Sequence, residues 1–287
     1  MAKTAVKPKP KPGREIVKPK SGAVAPADLL KMMEGDAGKG VSTSADDNIV
    51  PLLYILQKGS PQCDRDDKAK YIKGAMPGNL WFRGTAAVID VEDEPLLFIA
   101  CYFGKRWIRW RANRGGYVDA YAKRPDDAKQ VADAKNPDRM VWRMPNDKGE
   151  YNDACDAVVE TREYAGLGRV GDKWLSVVFP FSSTGHTPAR EWMGLINQKT
   201  VPGTDRPAPI FSHVYKVDTI RRENDEGSWY QARIIDAGEE DGKAVAQMVD
   251  DVELYKAARK IHADFSSGAL KADVGEAGGE ADDDNDM

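Results

Sequence analysis

The chain is poor in the residues on which most catalysis and metal binding depend. It holds three histidines and three cysteines among 287 residues. No Cys-x-x-Cys, His-Glu-x-x-His or Walker pattern occurs, so no metal or nucleotide site of known spacing is marked and no cofactor is expected. Cys63, Cys101 and Cys155 are odd in number and far apart, which argues for a reducing compartment and against a disulfide framework. Long apolar runs are missing too. The longest, Leu96 to Phe103, falls far short of the roughly 20 residues that span a bilayer. Met1 is followed by Lys and Pro instead of the apolar segment of a secretory signal. These absences predict a soluble cytoplasmic protein without membrane partners.

The scarce candidates for chemistry have bland readings. His186 in "SSTGHTPARE" lies beside Ser182, Ser183 and Thr184, but no nucleophile-elbow pattern surrounds it, and it reads as a polar loop before a helix. "GLGRVG" lacks the strand-then-helix setting of a phosphate cradle and reads as a turn. Acidic clusters at 239–241 and 250–253 read as a solvated loop and a helix face. The expectation is a protein that is not an enzyme.

One further absence is local. No Asp or Glu stands between Glu94 and Asp119, although the whole chain carries a net charge of −4. That window contains "YFGKRWIRWRANRGGYVDAY", where Lys105, Arg106, Arg109, Arg111 and Arg114 are interleaved with Tyr102, Phe103, Trp107 and Trp110. As a strand, its period of two puts Phe103, Lys105, Trp107, Arg109 and Arg111 on one face and Tyr102, Arg106, Ile108 and Trp110 on the other. Rings beside cations suit sequence-tolerant binding of single strands, because every base offers a π-face and every phosphate needs a positive partner. The competing reading makes the Trp residues core and the Arg residues solvated, with their stems packed over it. The candidate contacts are Lys105, Arg106, Trp107, Arg109, Trp110 and Arg111, supported by Tyr117 and Tyr121 beyond the glycine turn and by Trp229 and Tyr230.

Charge is segregated at the ends. Through residue 22 there are seven Lys/Arg against one Glu, and from residue 271 one Lys against seven acids. Residues 1–27 read as a disordered Lys/Pro-rich arm and residues 266–287 as a disordered acidic tail. Between them, 28–265 read as a β-rich α+β core, an OB-like barrel with helical additions, because short aromatic and β-branched segments alternate with turn signals. Within it, "ADLLKMMEG" suggests a short helix, and "ADDNIVPLLYILQKGSPQ" leaves helix and strand open. "RPDDAKQVADAKNPD" suggests a surface helix or loop. Thr187-Pro188 opens a helix, "RRENDEG" is a hairpin turn, and "VAQMVDDVELYKAARKIHADF" is a closing helix.

The segments "ADDNIVPLLYILQKGSPQ", "CYFGKRWIRWRANRGGYV", "PFSSTGHTPAREWMGLI" and "PIFSHVYKVDTIRRENDEGSWYQARI", with the acidic terminus, resemble the layout of phage-encoded single-stranded-DNA-binding proteins. That resemblance implies an OB-like barrel, a role in phage replication or recombination in the host cytoplasm, and an acidic tail that recruits partner enzymes. Asp282, Asp283, Asp284 and Asp286 would carry the tail's charge. The tail ends in "NDM", without the aromatic or apolar tip usual in the best-known single-strand binders. A homo-oligomer is compatible with this layout. The rival readings are a virion or scaffold-type structural protein, in which the aromatic strand is a subunit interface, and a strand-annealing recombinase.

Overall fold

A computed structural model of the chain describes residues 49–272, apart from 84, 86, 93, 113–115, 135 and 226. The basic arm, the "ADLLKMMEG" segment, Arg114 and the acidic residues 282–286 lie outside the described residues.

The fold is β-rich α+β. Segment 49–55, ambiguous by sequence, forms strands β1 (Ile49–Val50) and β2 (Leu53–Ile55). Pro51 between them donates no hydrogen bond, but its carbonyl accepts one from Val178 N at 2.9 Å. β2 pairs with β3 (Leu80–Phe82), which pairs with β4 (Val88–Ile89). The larger sheet is built on two long antiparallel strands, β5 (Leu96–Trp110) and β9 (Ala157–Val170). At one end they are flanked by β11 (His213–Asn224) with β12 (Gly227–Asp236), and by β10 (Lys173–Phe181). At the other end they extend into β6 (Tyr117–Tyr121) on the β5 side, and β8 (Met140–Arg143) with β7 (Lys129–Ala132) on the β9 side. The sheets are open. The main core lies between the large sheet, the β2–β3–β4 sheet and helix α1 (His186–Asn197). Trp192 of α1 is fully buried there, stacked on Tyr164 at 4.2 Å and edge-on to Phe98 at 5.3 Å.

A bulge interrupts the β5–β9 ladder. Ala100 pairs with Gly166 and Tyr102 with Ala165, which leaves Cys101 as the extra residue. Its carbonyl is not orphaned. Nδ1 of His262 donates to it at 2.7 Å from helix α2 (Val252–Ser267), which covers a second core around Ile99, Leu167 and Phe211. Burial in this layer pushes the Cys101 thiol far above its ordinary value, so this cysteine is an inert packing group. A Cβ on Gly166 would stand 2.1 Å from the carbonyl oxygen of Ile99 and 2.6 Å from the Phe98 ring. Only glycine fits where the strands approach so closely.

Several local expectations are corrected. "GLGRVG" is not a turn: Gly166 to Val170 continue β9, because the missing side chains let it press on β5. The "RPDDAKQVADAKNPD" segment contains strand β7, formed because Lys129–Ala132 find partners on β8. The "RRENDEG" turn is shorter than read, since Arg221–Asn224 remain paired with Gly227–Tyr230. α1 starts at His186, not after Thr187; a 3-10 turn at Ser183–Gly185 feeds straight into it and no side chain caps it. α2 starts at Val252, because Asp251 caps it by accepting from Glu253 N at 2.7 Å and Leu254 N at 2.9 Å. The residues before it form the short strands β13 (Gly238–Glu240), β14 (Lys243–Val245) and β15 (Gln247–Met248). The fold also continues past residue 265: α2 runs to Ser267, and β16 (Lys271–Ala272) pairs in parallel with β1.

Candidate nucleic-acid interface

The distal half of β5 keeps the alternation expected of it, and its two faces meet different surroundings. On one face, Trp107 packs edge-on to Trp142 of β8 at 6.0 Å, in a small cluster with Ala128, Met144 and Val158. Arg109 on the same face binds Asp156, with Nε 2.7 Å from Oδ2, and is also hydrogen-bonded by Tyr121. These three candidates therefore build the extension of the sheet. Lys105 is exposed and has no ion pair among the described residues.

On the opposite face, Ile108 and Trp110 line a groove. Tyr230 of β12 and Tyr54 of β2 line it too, so rings from three separate strands converge there. Thr161, Glu163 and Gln231 supply polar groups to its wall. Tyr117 holds Trp110 from the side, edge to face at 6.2 Å. The Tyr230 ring lies so close to Gly78 that a Cβ there would meet it at 2.7 Å. Its backbone is bracketed by the buried Gln57 amide: Gln57 Nε2 donates to Tyr230 O at 2.9 Å, and Tyr230 N donates to Gln57 Oε1 at 2.8 Å. Both contacts fix the ring's place. Trp229, one residue earlier, points to the other side of β12, half-buried, and its buried Nε1 has no hydrogen-bond partner among the described residues.

Charge is distributed less generously than the acid-free window promises. β9 lies alongside β5 and brings carboxylates to it. Arg106 is held by Glu163 in a two-pronged pair, Nε to Oε2 at 2.8 Å, and Glu163 is only 8% exposed. Burial raises the Glu163 pKa, and Arg106 opposes that rise. Arg106 and Arg109 are thus already neutralised. Lys105 and Arg111 are the exposed cations of the described candidate set without a carboxylate partner.

Tyr54 was not among the candidates, since its segment could be read as helix or strand. Its signal was the aromatic in "VPLLYIL", after a proline that a central helix would not tolerate. The partnership of Glu163 with Arg106 had a weaker signal: "VVETREY" is a second long alternating stretch, of the length needed to pair with β5. No helix among the described residues is long and apolar enough to cross a membrane, and no cluster of His, Cys, Asp and Glu among them is grouped to hold a metal.

No curated protein and no solved structure matches the chain. A family model described as Pam3 phage gp34-like protein matches residues 19–271, which is most of the chain and all of the described residues but the last, Ala272. This chain belongs to the Pam3 phage gp34-like protein family.

Proposed function

We propose that this phage protein binds single-stranded DNA without sequence preference, as a non-enzymatic partner of phage DNA replication or recombination in the host cytoplasm. The convergence of Tyr54, Trp110 and Tyr230 on one groove carries the reading. Such rings offer stacking surfaces to successive bases, while Lys105, on the opposite face of β5, and Arg111, just beyond its end, supply positive charge to a strand that leaves the groove around the sheet's edge. Trp110→Ala and Tyr230→Ala should each weaken oligo-dT binding by about 1–3 kcal/mol if the ring stacks on a base. Intrinsic tryptophan fluorescence, titrated with an unlabelled oligonucleotide, measures the Tyr230 variant and the parent directly; anisotropy of a labelled oligonucleotide serves the Trp110 variant. Two phosphate contacts give a log-log salt slope of about −1.4 in a chain lacking residues 1–22, and the basic arm steepens it in the full chain. Folded variants with unchanged affinity would sink the groove.

The acidic residues Asp282, Asp283, Asp284 and Asp286 fit a tethered anion that competes with DNA and recruits replication or recombination enzymes. Deleting residues 273–287 spares β16 and should raise affinity for single strands at low salt, with a gain that fades as salt screens the tail. Equal affinity of the full-length and tail-less chains at low salt, each without the basic arm, would refute the competition. A structural role in the virion or its scaffold is the second reading. The neutralisation of Arg106 and Arg109 favours it, because it withdraws two phosphate partners from the strand. That role predicts no salt-sensitive binding of single strands.

A further inference from the structure

The groove leaves unused two rings on which cations are parked. Arg124 lies over the Trp142 ring at 3.9 Å from its centroid, and Lys129 over the Tyr151 ring at 4.7 Å. Both cations come from one short stretch between β6 and the start of β7, which the Tyr151 hydroxyl fastens by donating to Asp127 O at 2.9 Å. Both rings are half-buried and both cations exposed. Unlike Arg106 and Arg109, neither Arg124 nor Lys129 has a carboxylate partner among the described residues. Their charge is therefore not neutralised within the fold.

We infer that Trp142 and Tyr151, with Arg124 and Lys129, form a second nucleobase-stacking platform for the same DNA strand; this rests on the single-strand-binding reading. A cation on the open face of a half-buried ring occupies the place that a base would cover. An exposed cation–π contact is weaker than a base stack, so the base displaces the cation, or is sandwiched beneath it, with a net gain. The released cation stays tethered beside the ring, where the phosphate of the stacked nucleotide needs it. Trp142 shares the face of Trp107, whereas Trp110 and the groove lie on the other face. A strand that reaches both must pass around the sheet, and must be longer than one that fills the groove.

Oligonucleotide length separates the two sites. Full-length protein is titrated with dT oligomers of ~6 and ~30 nucleotides, the first near the low end of the usual range for one binding module and the second well above it. Trp142→Leu should weaken binding of the long oligomer by about fivefold or more and leave the short one unchanged, while Trp142→Phe retains most of the affinity. Cross-linking of a 5-iododeoxyuridine oligomer to the unmodified protein should label peptides spanning 140–151 besides those of β5. Should Trp142→Leu fail to fold, Tyr151→Leu and the cross-link map decide. Parental affinity of the folded variant for both lengths, with cross-links confined to the groove strands, would overturn the platform and leave the groove standing. Absence of binding by the parent at either length would remove both.

Discussion

Gly166→Ala is expected to be the most damaging glycine-to-alanine substitution among the described residues. The added methyl has nowhere to go, because its nearest neighbour would be a backbone oxygen, that of Ile99, at 2.1 Å. Side chains can rotate away from a new atom, whereas the paired backbone of β5 can yield only by breaking its ladder. The cost should exceed ~3 kcal/mol, above the usual range for overpacking. For a chain of this size that lowers Tm by at least roughly 6 °C. Gly194→Ala is the control. A Cβ at Gly194 in α1 meets nothing within 4 Å, so alanine should be neutral or stabilise by up to ~1 kcal/mol through helix propensity. Thermal unfolding of the two variants side by side checks the claim. A Gly166→Ala protein as stable as its parent would mean that the strands do not approach as described.

The second large effect concerns Arg106. Its guanidinium is two-pronged on a carboxylate that is 8% exposed, so Arg106→Met strands Glu163 without a counter-charge in a buried wall. Breaking such a pair from one side costs about 3 kcal/mol, the low end of the usual range because Arg106 itself remains 24% exposed. The pH dependence has a definite sign. Burial already raises the Glu163 pKa, and loss of Arg106 removes the group that opposes the rise. With the folded-state value above the unfolded one, the protonated carboxyl is favoured in the fold, so the variant's deficit shrinks as pH falls toward the carboxylate range and grows as pH rises. Arg106→Met with Glu163→Met should recover most of the loss, since matched apolar groups replace a buried pair at little cost. Urea unfolding across pH measures all of this. If Arg106→Met keeps parental stability at neutral pH and loses only DNA affinity, Arg106 is a phosphate ligand and not a strut of the groove.

How much of this could be read beforehand differs from feature to feature. β5 was legible because a run rich in Trp, Ile, Phe and Tyr favours a pleated strand, and its face assignment follows from a period of two. The β-rich class followed from many such stretches. What one strand's composition cannot reveal is its neighbour. The acid-free run looked like five free cations, yet Glu163 comes from β9 and Asp156 from just before it, dozens of residues away in sequence. Trp107 and Trp110 each follow an arginine, but opposite faces send one into a packed cluster and the other into a groove. Glycines misled for a related reason. "GLGRVG" has the residues of a turn, and only the close passage of Ile99 and Phe98 explains why they belong inside a strand. Tyr54 joined the groove through tertiary placement, which local periodicity does not encode.

The parallel pairing of β1 with β16 sets how the fold answers a pull. Ile49 stands opposite Lys271 and Val50 opposite Ala272, so both ends of the described chain run side by side in the same direction. Tension applied through the two ends therefore drags the strands past each other along their length, and their hydrogen bonds are loaded together instead of being unzipped singly. Beneath them Val50, Leu52, Val178 and Ala272 form one apolar cluster, which must slip at the same moment. Resistance to force is governed by the rate of that first slip and not by the equilibrium stability of the core behind it. Four paired residues are thus where a pull on the ends of the described fold is first resisted.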